Sequence, residues 1–471
     1  MDQRHRRRRS PIGLIGHPIV TLVVLLAIIA LAGGSSRADS LGQVIVRAAS
    51  TVALLFWTVF PPPPSVERLR PAFLFLALVA VVAAAQLVPL PPAIWTALPG
   101  RDFYAASSTA IGQPLPWRPI ALVPSRGASA LFALLVPLAV LVGLARCASR
   151  ERAGLLIVLA ALSLVSAVLG LAQLSLGSES GLRWYEYSSN SSAVGFFANR
   201  NHQALLLAVA LPMLAAWAVT PERRPDRRRL RRYTAIGLGA FFILMLPTTG
   251  SRSGLAVAAI GLVAAAAIAA PAVRQSLQSM RGARRRRLYA IVAGALVAFV
   301  AVLVFFGRNE AFVRLRDLDA TGDLRARALP VVLQMARDAF PVGIGLGSFE
   351  TVYRRFEPFD QLSYTYLNQA HNDLLQVVVE AGMLGGLLLV AFIGWWGWAS
   401  WRAWREAPTA QSLAARAGSA VVLMILAASV TDYPVRTPLM LAVLTIACAW
   451  MLTVRPGARE AVLEDPARDR S

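Results

Sequence analysis

Residues 368–386 read NQAHNDLLQVVVEAGMLGG. A histidine, an asparagine and an aspartate stand directly before an apolar run that continues to residue 399. That run exceeds the roughly 20 residues that cross a bilayer. Asn372 has the form of an N-cap with Asp373 in the first turn, so a membrane helix is expected to start there. His371, one of only four histidines in the chain, sits just outside its positive end. Such a helix start also suits a phosphate.

The rest of the chain repeats the pattern. It is 56% hydrophobic, above the roughly 45–50% of soluble domains. Apolar runs fall at about 14–34, 42–60, 71–90, 127–146, 153–176, 201–219, 234–250, 254–272, 288–306, 373–399, 412–430 and 437–454. The fold class expected is an all-α polytopic membrane protein with about 12 transmembrane helices. Residues 1–306 hold spans 1–9, 307–372 a large loop or lid, 373–454 spans 10–12, and 455–471 a tail. The first run also has the form of a signal peptide, with Ala30 to Ala32 in the place of a cleavage site. Either reading leaves the remaining topology unchanged.

The formal charge of +22 comes from arginine alone, since the chain contains no lysine. The arginines stand in blocks between apolar runs: MDQRHRRRRS at 1–10, RCASRER at 146–152, PERRPDRRRLRR at 221–232, RQSLQSMRGARRRR at 274–287 and WRAWREA at 401–407. All five fall on one side of a twelve-span count, which the positive-inside rule makes cytoplasmic. With no RNP, zinc-finger or helix-turn-helix signal beside them, nucleic acid is not expected as a partner. The two cysteines, Cys147 and Cys448, indicate neither a disulfide framework nor a thiolate metal site.

The opposite face carries 91–125, 177–200, the TTGSRSG turn at 248–254, the segment 307–372 and TDYPVRTP at 431–438. In 307–372 eight arginines balance eight acids, which suits a small folded lid. Within it ALPVVLQMARDAF reads as an amphipathic helix stopped by Pro341, and GIGLG as a flexible corner. No strand precedes that glycine run, so it is not a dinucleotide fingerprint. Asp317-Leu318-Asp319 has the DxD form of a metal site, but Arg314 and Arg316 beside it point to an ion-paired surface turn.

Three polar clusters mark the outer ends of spans: FFANRNHQ at 196–203, TTGSRSG at 248–254 and NQAHND at 368–373. A single arginine at such a boundary suits snorkelling. Arg200 lies between Asn199 and Asn201, and Arg252 between Ser251 and Ser253, surroundings that suit a wet pocket better. Glu380, two turns into its helix, is an intramembrane acid. It either pairs with one of the arginines or orients His371.

The run His371-Asn372, nine residues, Gly382-x-x-Gly385 resembles the H-[NSQ]-x9-G-x-x-[GTY] signature of bacterial O-antigen ligases. FFANRNHQA, TTGSRSGL and the P-x-G-x-G-x-G-x-F element from Pro341 to Phe349 resemble the wider ligase and polymerase superfamily, most strongly over about 190–440. The resemblance implies a metal-independent, inverting glycosyltransferase of the GT-C type, without cofactor, in the bacterial inner membrane. It would transfer a glycan from undecaprenyl diphosphate to a hydroxyl of lipid A core or another glycan acceptor at the periplasmic face. Carried over by motif, Arg200 and Arg252 grip the diphosphate and His371 activates the acceptor, with Asn199, Asn201, Ser251, Asn372 and Glu380 around the substrates. Polymerases of lipid-linked repeat units and protein O-glycosyltransferases share this layout. A polysaccharide transporter or flippase would share the span count, but its two halves would resemble each other, and the large loop occurs here once.

Overall fold

The computed structural model describes residues 17–60, 66–177, 181–278, 282, 320–359, 362 and 367–453, the side chains of 320–326 excepted. The chain is an all-α polytopic membrane protein. Its main helices are α1 (Pro18–Ala32), α2 (Leu41–Val59), α3 (Arg70–Ala85), α4 (Pro124–Ala133), α5 (Leu135–Arg146), α6 (Ser149–Leu176), α7 (Arg200–Val219), α8 (Pro225–Met245), α9 (Arg252–Gln278), α10 (Ala320–Ala339), α11 (Phe349–Phe356), α12 (Asp373–Arg405), α13 (Ala410–Ser429) and α14 (Pro438–Leu452). Among the described residues nine helical stretches are long and apolar enough to cross a membrane, with α4 and α5 counted as one, and α1 and α14 are shorter apolar helices. Eleven of the twelve expected runs thus have a helix. The twelfth, 288–306, lies outside the described residues, as do Asp317 to Asp319 and the two chain ends.

Helices α7 and α13 are buried on nearly every side, whereas α3 is almost entirely exposed on its flanks. α7 forms the centre, packed against α6, α8, α9 and α13. Between apolar helices in lipid, close approach replaces the hydrophobic drive, and small residues permit it. Gly254 and Gly261 of α9 face Ala204 and the Ala208 carbonyl of α7, where an added Cβ would collide.

Three of the basic blocks between the apolar runs are partly helical. Residues 225–232 form the first turns of α8, 274–278 the last of α9 and 401–405 the last of α12. At that end Arg416 donates to the carbonyls of Ala403 and Glu406, satisfying acceptors that a helix end leaves free. Arg402 and Arg405 lie over Trp398 and Trp401, an arrangement common at a membrane interface. The three polar clusters lie at the opposite end.

The expected helix of the large loop is α10, which runs through Pro330 and ends before Pro341. Its Ala328, Val332, Met335 and Ala339 pack on Ile344, on Phe349, Val352 and Tyr353 of α11, and on Val379 of α12. This small core is separate from the main one. The glycine-rich corner between α10 and α11 is tightly bonded and breaks α12. Gly382 has φ +59° and ψ −145°, a conformation open in practice to glycine. The break frees backbone groups that lipid cannot satisfy. The corner meets them: Ile344 N donates to the Val379 carbonyl at 3.0 Å, Gly345 N to the Glu380 carbonyl at 2.9 Å, and Met383 N donates to the Pro341 carbonyl at 2.8 Å. Gln86 Nε2 gives the Glu380 carbonyl a second donor. Arg101, buried and lowered by that burial to about 10, donates to the carbonyls of Ile120 and Gly343.

This join predicts opposite effects for two glycines of one helix. A Cβ at Gly382 would overlap the Pro341 carbonyl, whereas Gly394 faces open space. Gly382→Ala should cost about 1–3 kcal/mol or more from backbone strain alone, read as a lower melting temperature in detergent. Gly394→Ala should match or exceed the parent. Equal melting temperatures for the two variants would show that the break at Gly382 is not required.

Candidate functional site

Each polar cluster builds a helix start from its own local chemistry. Asn199 caps α7, its Oδ1 accepting from Asn201 N at 2.9 Å. Ser251 precedes α9, and its Oγ accepts from Gly254 N at 2.9 Å. Asn372 caps α12 as expected, its Oδ1 accepting from Leu375 N at 2.9 Å.

One residue the sequence reading passed over joins all three. Asp432, in the turn between α13 and α14, is 3% exposed. Its carboxylate accepts from Asn199 Nδ2 at 3.1 Å, from Asn201 Nδ2 at 2.6 Å and from Tyr433 N at 3.0 Å. His371 Nδ1 lies 3.4 Å from its Oδ1, and its main-chain carbonyl accepts from Asp373 N at 3.3 Å. Asn201 carries the network onward, its Oδ1 accepting from Ser251 Oγ at 2.7 Å. A hydrogen-bonded chain therefore runs from Asp432 through Asn201 to Ser251, beside Arg252; His371 Nδ1 stands against its Asp432 end at 3.4 Å without a hydrogen bond in this structure. Arg200 reaches the same turn: its Nη1 would stand 3.7 Å from a Cβ placed on Gly250.

Two histidines flank Asp432, and the structure separates them. His202 is 1% exposed, with its Nε2 3.8 Å from Asp432 Oδ2. His371 keeps 19% of its side chain exposed. Both rings pack edge-on against Tyr433, at 5.3 and 4.8 Å. Only His371 can meet a solute. It is also the one non-glycine residue with positive φ (+50°) among the described residues, which costs about 1–3 kcal/mol and persists where surroundings over-determine it.

Glu380 does not touch His371; Asp432 occupies that place. Glu380 is fully buried and accepts from Arg436 Nη2 at 3.2 Å, Gln376 Nε2 at 3.1 Å and Phe349 N at 3.3 Å. The arginine partner is thus Arg436 of the turn after Asp432, whose Nε also donates to Asp373 Oδ1 at 2.8 Å. Burial works to lower the Arg436 pKa, but the two carboxylates outweigh it and hold the guanidinium above its ordinary value. Arg252 is exposed and Arg200 half-buried, each at the first residue of its helix.

The fold and this end of the bundle define a polytopic membrane protein with a charged, histidine-bearing site at the helix starts. Residues 236–390 match the model of the O-antigen ligase family. The match supports membership of the O-antigen ligase and polymerase family, and with it a membrane glycosyltransferase of that type acting on lipid-linked glycan and acceptor. It covers Arg252, His371 and Glu380, while Arg200, Asn201 and Asp432 lie outside it. No curated protein matches the chain significantly.

Asp432→Asn removes the charge and replaces one of the two acceptor oxygens by an NH2 donor, which must face either the side-chain amides of Asn199 and Asn201 or the Tyr433 N–H. Breaking a buried charged network in this way costs about 3–5 kcal/mol. A clear drop in melting temperature in detergent is the expected result. A parental value would mean that Asp432 does not tie the helix starts together.

Proposed function

We propose that the chain is an O-antigen ligase that transfers a glycan from undecaprenyl diphosphate to a hydroxyl of lipid A core, at the periplasmic face of the bacterial inner membrane. Arg200 and Arg252 bind the diphosphate. A departing lipid diphosphate gathers negative charge, and two preorganised guanidinium groups at helix starts stabilise it without a metal ion. Asp432 is a positioning residue: it fixes the His371 tautomer with the proton on Nδ1, leaving the Nε2 lone pair for the acceptor. Nε2 removes the acceptor proton as the oxygen attacks the anomeric carbon and the diphosphate leaves from the opposite side, which inverts the centre. The described part of the large loop, residues 320–359, would serve as the lid in this reading.

The observation that carries this reading is the juxtaposition of an accessible histidine, a buried carboxylate beside its Nδ1 and two helix-start arginines next in sequence to members of the same polar network. Polymerisation of lipid-linked repeat units uses the same chemistry with a different acceptor hydroxyl, and remains the second reading on the family match.

The deciding experiment measures donor affinity and single-turnover transfer in excess EDTA. His371→Asn removes the base but suits the left-handed backbone of residue 371. It should slow transfer by roughly 10²–10⁴ with donor affinity retained. Arg252→Lys keeps the charge but loses the bidentate fork, so it should impair transfer nearly as much as Arg252→Ala. A folded His371→Asn protein that transfers at the parental rate removes the base assignment.

Orientation has its own test, in a background with Cys147 and Cys448 replaced by alanine. Ser107→Cys, on the exposed helix Asp102–Ala110, should react with an impermeant thiol reagent in spheroplasts. Arg228→Cys, in the basic start of α8, should react only after lysis. The reverse pattern would place the site on the cytoplasmic side.

A further inference from the structure

His202 is a buried titratable group that the transfer chemistry leaves unused. It stands in the first turn of α7, two residues after Arg200. Phe197 and Tyr433 meet its ring edge-on at 5.9 and 5.3 Å, the packing of a core histidine. Core packing alone does not account for its direction. Its Nε2 lies 3.8 Å from Asp432 Oδ2, which is too long for a hydrogen bond but is a separation at which a water joins two polar groups.

A small cavity adjoins this contact. Its volume is about 10 Å³, the least that admits one water. Asn201, His202, Ser253 and Asp432 form its polar wall. An ordered internal water needs two to four polar partners, and this wall can supply them.

The two histidines address different oxygens of one carboxylate. His371 Nδ1 stands 3.4 Å from Oδ1, and His202 stands on the Oδ2 side. Oδ2 also accepts from the amides of Asn199 and Asn201. Each donor at Oδ2 fixes the plane of the carboxylate. Each also favours its ionised form, because a hydrogen bond to the charged state stabilises that state. The same donors draw charge away from Oδ1 and so limit how strongly Asp432 favours an imidazolium at residue 371.

We propose that His202 is a positioning residue for His371. Its Nε2–H donates to a water in this cavity, and the water donates to Asp432 Oδ2. Asp432 is thereby kept ionised and turned towards His371 Nδ1. This assignment rests on the transfer reading above, in which His371 is the base. The other charged and titratable groups around Asp432 are Arg200 on α7, Arg252 on α9, Asp373 on α12, and Tyr433 and Arg436 in its own turn; α13 brings only Ala428 to the cavity. None of these ionisable groups changes in the variants below, so a difference from the parent belongs to His202 and its water.

The test reads the imidazoles directly and needs no transfer assay. The chain has only four histidines, so full-length protein in detergent, labelled with nitrogen-15 histidine, can be followed by nuclear magnetic resonance. The signals lost in His371→Asn identify His371. Their shifts report its tautomer and the midpoint of its titration. In the parent, neutral His371 should carry its proton on Nδ1. His202→Phe removes the donor and keeps a ring between Phe197 and Tyr433. With that donor gone, Asp432 concentrates its charge on His371. The midpoint should then rise by about half to one pH unit, the size of one hydrogen bond, and the tautomers should mix. His202→Gln, which keeps an N–H donor, should remain parental. Ala428→Val, which fills the cavity and leaves His202 in place, should raise the midpoint as His202→Phe does, and it decides the matter if His202→Phe fails to fold. An unmoved midpoint and tautomer in folded His202→Phe or Ala428→Val, or the same change in His202→Gln, would overturn the proposal and leave His202 a core residue. Failure of His371→Asn to slow transfer would instead remove the base assignment and leave the measured coupling of the two histidines standing.

Discussion

A single buried carboxylate constrains the site end of this protein. Asp432 accepts hydrogen bonds from two side chains at the start of α7, lies beside His371 before α12, and reaches the start of α9 through Asn201 and Ser251. A charge so deeply buried is stable only with most of its acceptor sites occupied. Each bond that satisfies Asp432 therefore also fixes the distance between two helix starts. The positions of Arg200, Arg252 and His371 follow from that requirement, because each is adjacent in sequence to a member of the network.

The apolar medium imposes the second constraint. A helix broken inside a membrane must have its freed backbone groups bonded elsewhere. α12 is broken at Gly382, and the segment from Pro341 to Gly345 supplies the missing partners in backbone register. This ties the large loop to the helix that begins at the site. The connection continues through side chains: Glu380, just before the break, is held by Arg436, and Arg436 also holds Asp373, two residues after His371. The loop, the broken helix and the turn carrying Asp432 form one mechanical unit.

The spans were legible in the sequence because hydropathy over some 20 residues is a local property, and the helix caps because Asn199 and Asn372 bond within three residues of themselves. What escaped the reading was long-range. Asp432 bonds to residues more than 230 positions earlier, and a lone aspartate in a turn carries no periodic signal. Glu380 left two readings open because its partner, Arg436, stands 56 residues away. The break at Gly382 was invisible inside a continuous apolar run. Its only trace was the density of glycine both there and at Gly343, Gly345 and Gly347, all of positive φ. Hydropathy marks where the apolar runs stop but not where the helices do, because arginine forms helix well, so α8, α9 and α12 extend into the basic blocks.

The two arginines stand where helix energetics would not put them. The start of a helix carries about half a positive charge, and a cation there is unfavourable by about 0.3–1 kcal/mol. Arg200 and Arg252 both occupy first helical positions, at two helix starts joined by Asn201 and Ser251. Folding alone would favour acids at those places, as α12 has Asp373 in its first turn. An anion bound at this end would reverse the sign of the balance, since it would meet two guanidinium groups and two helix dipoles together. On the proposed reading, that cost is the counterpart of affinity for a polyanion. The asymmetry between α7 and α9 on one hand and α12 on the other then separates the proposed diphosphate-binding half of the site from the half built around His371.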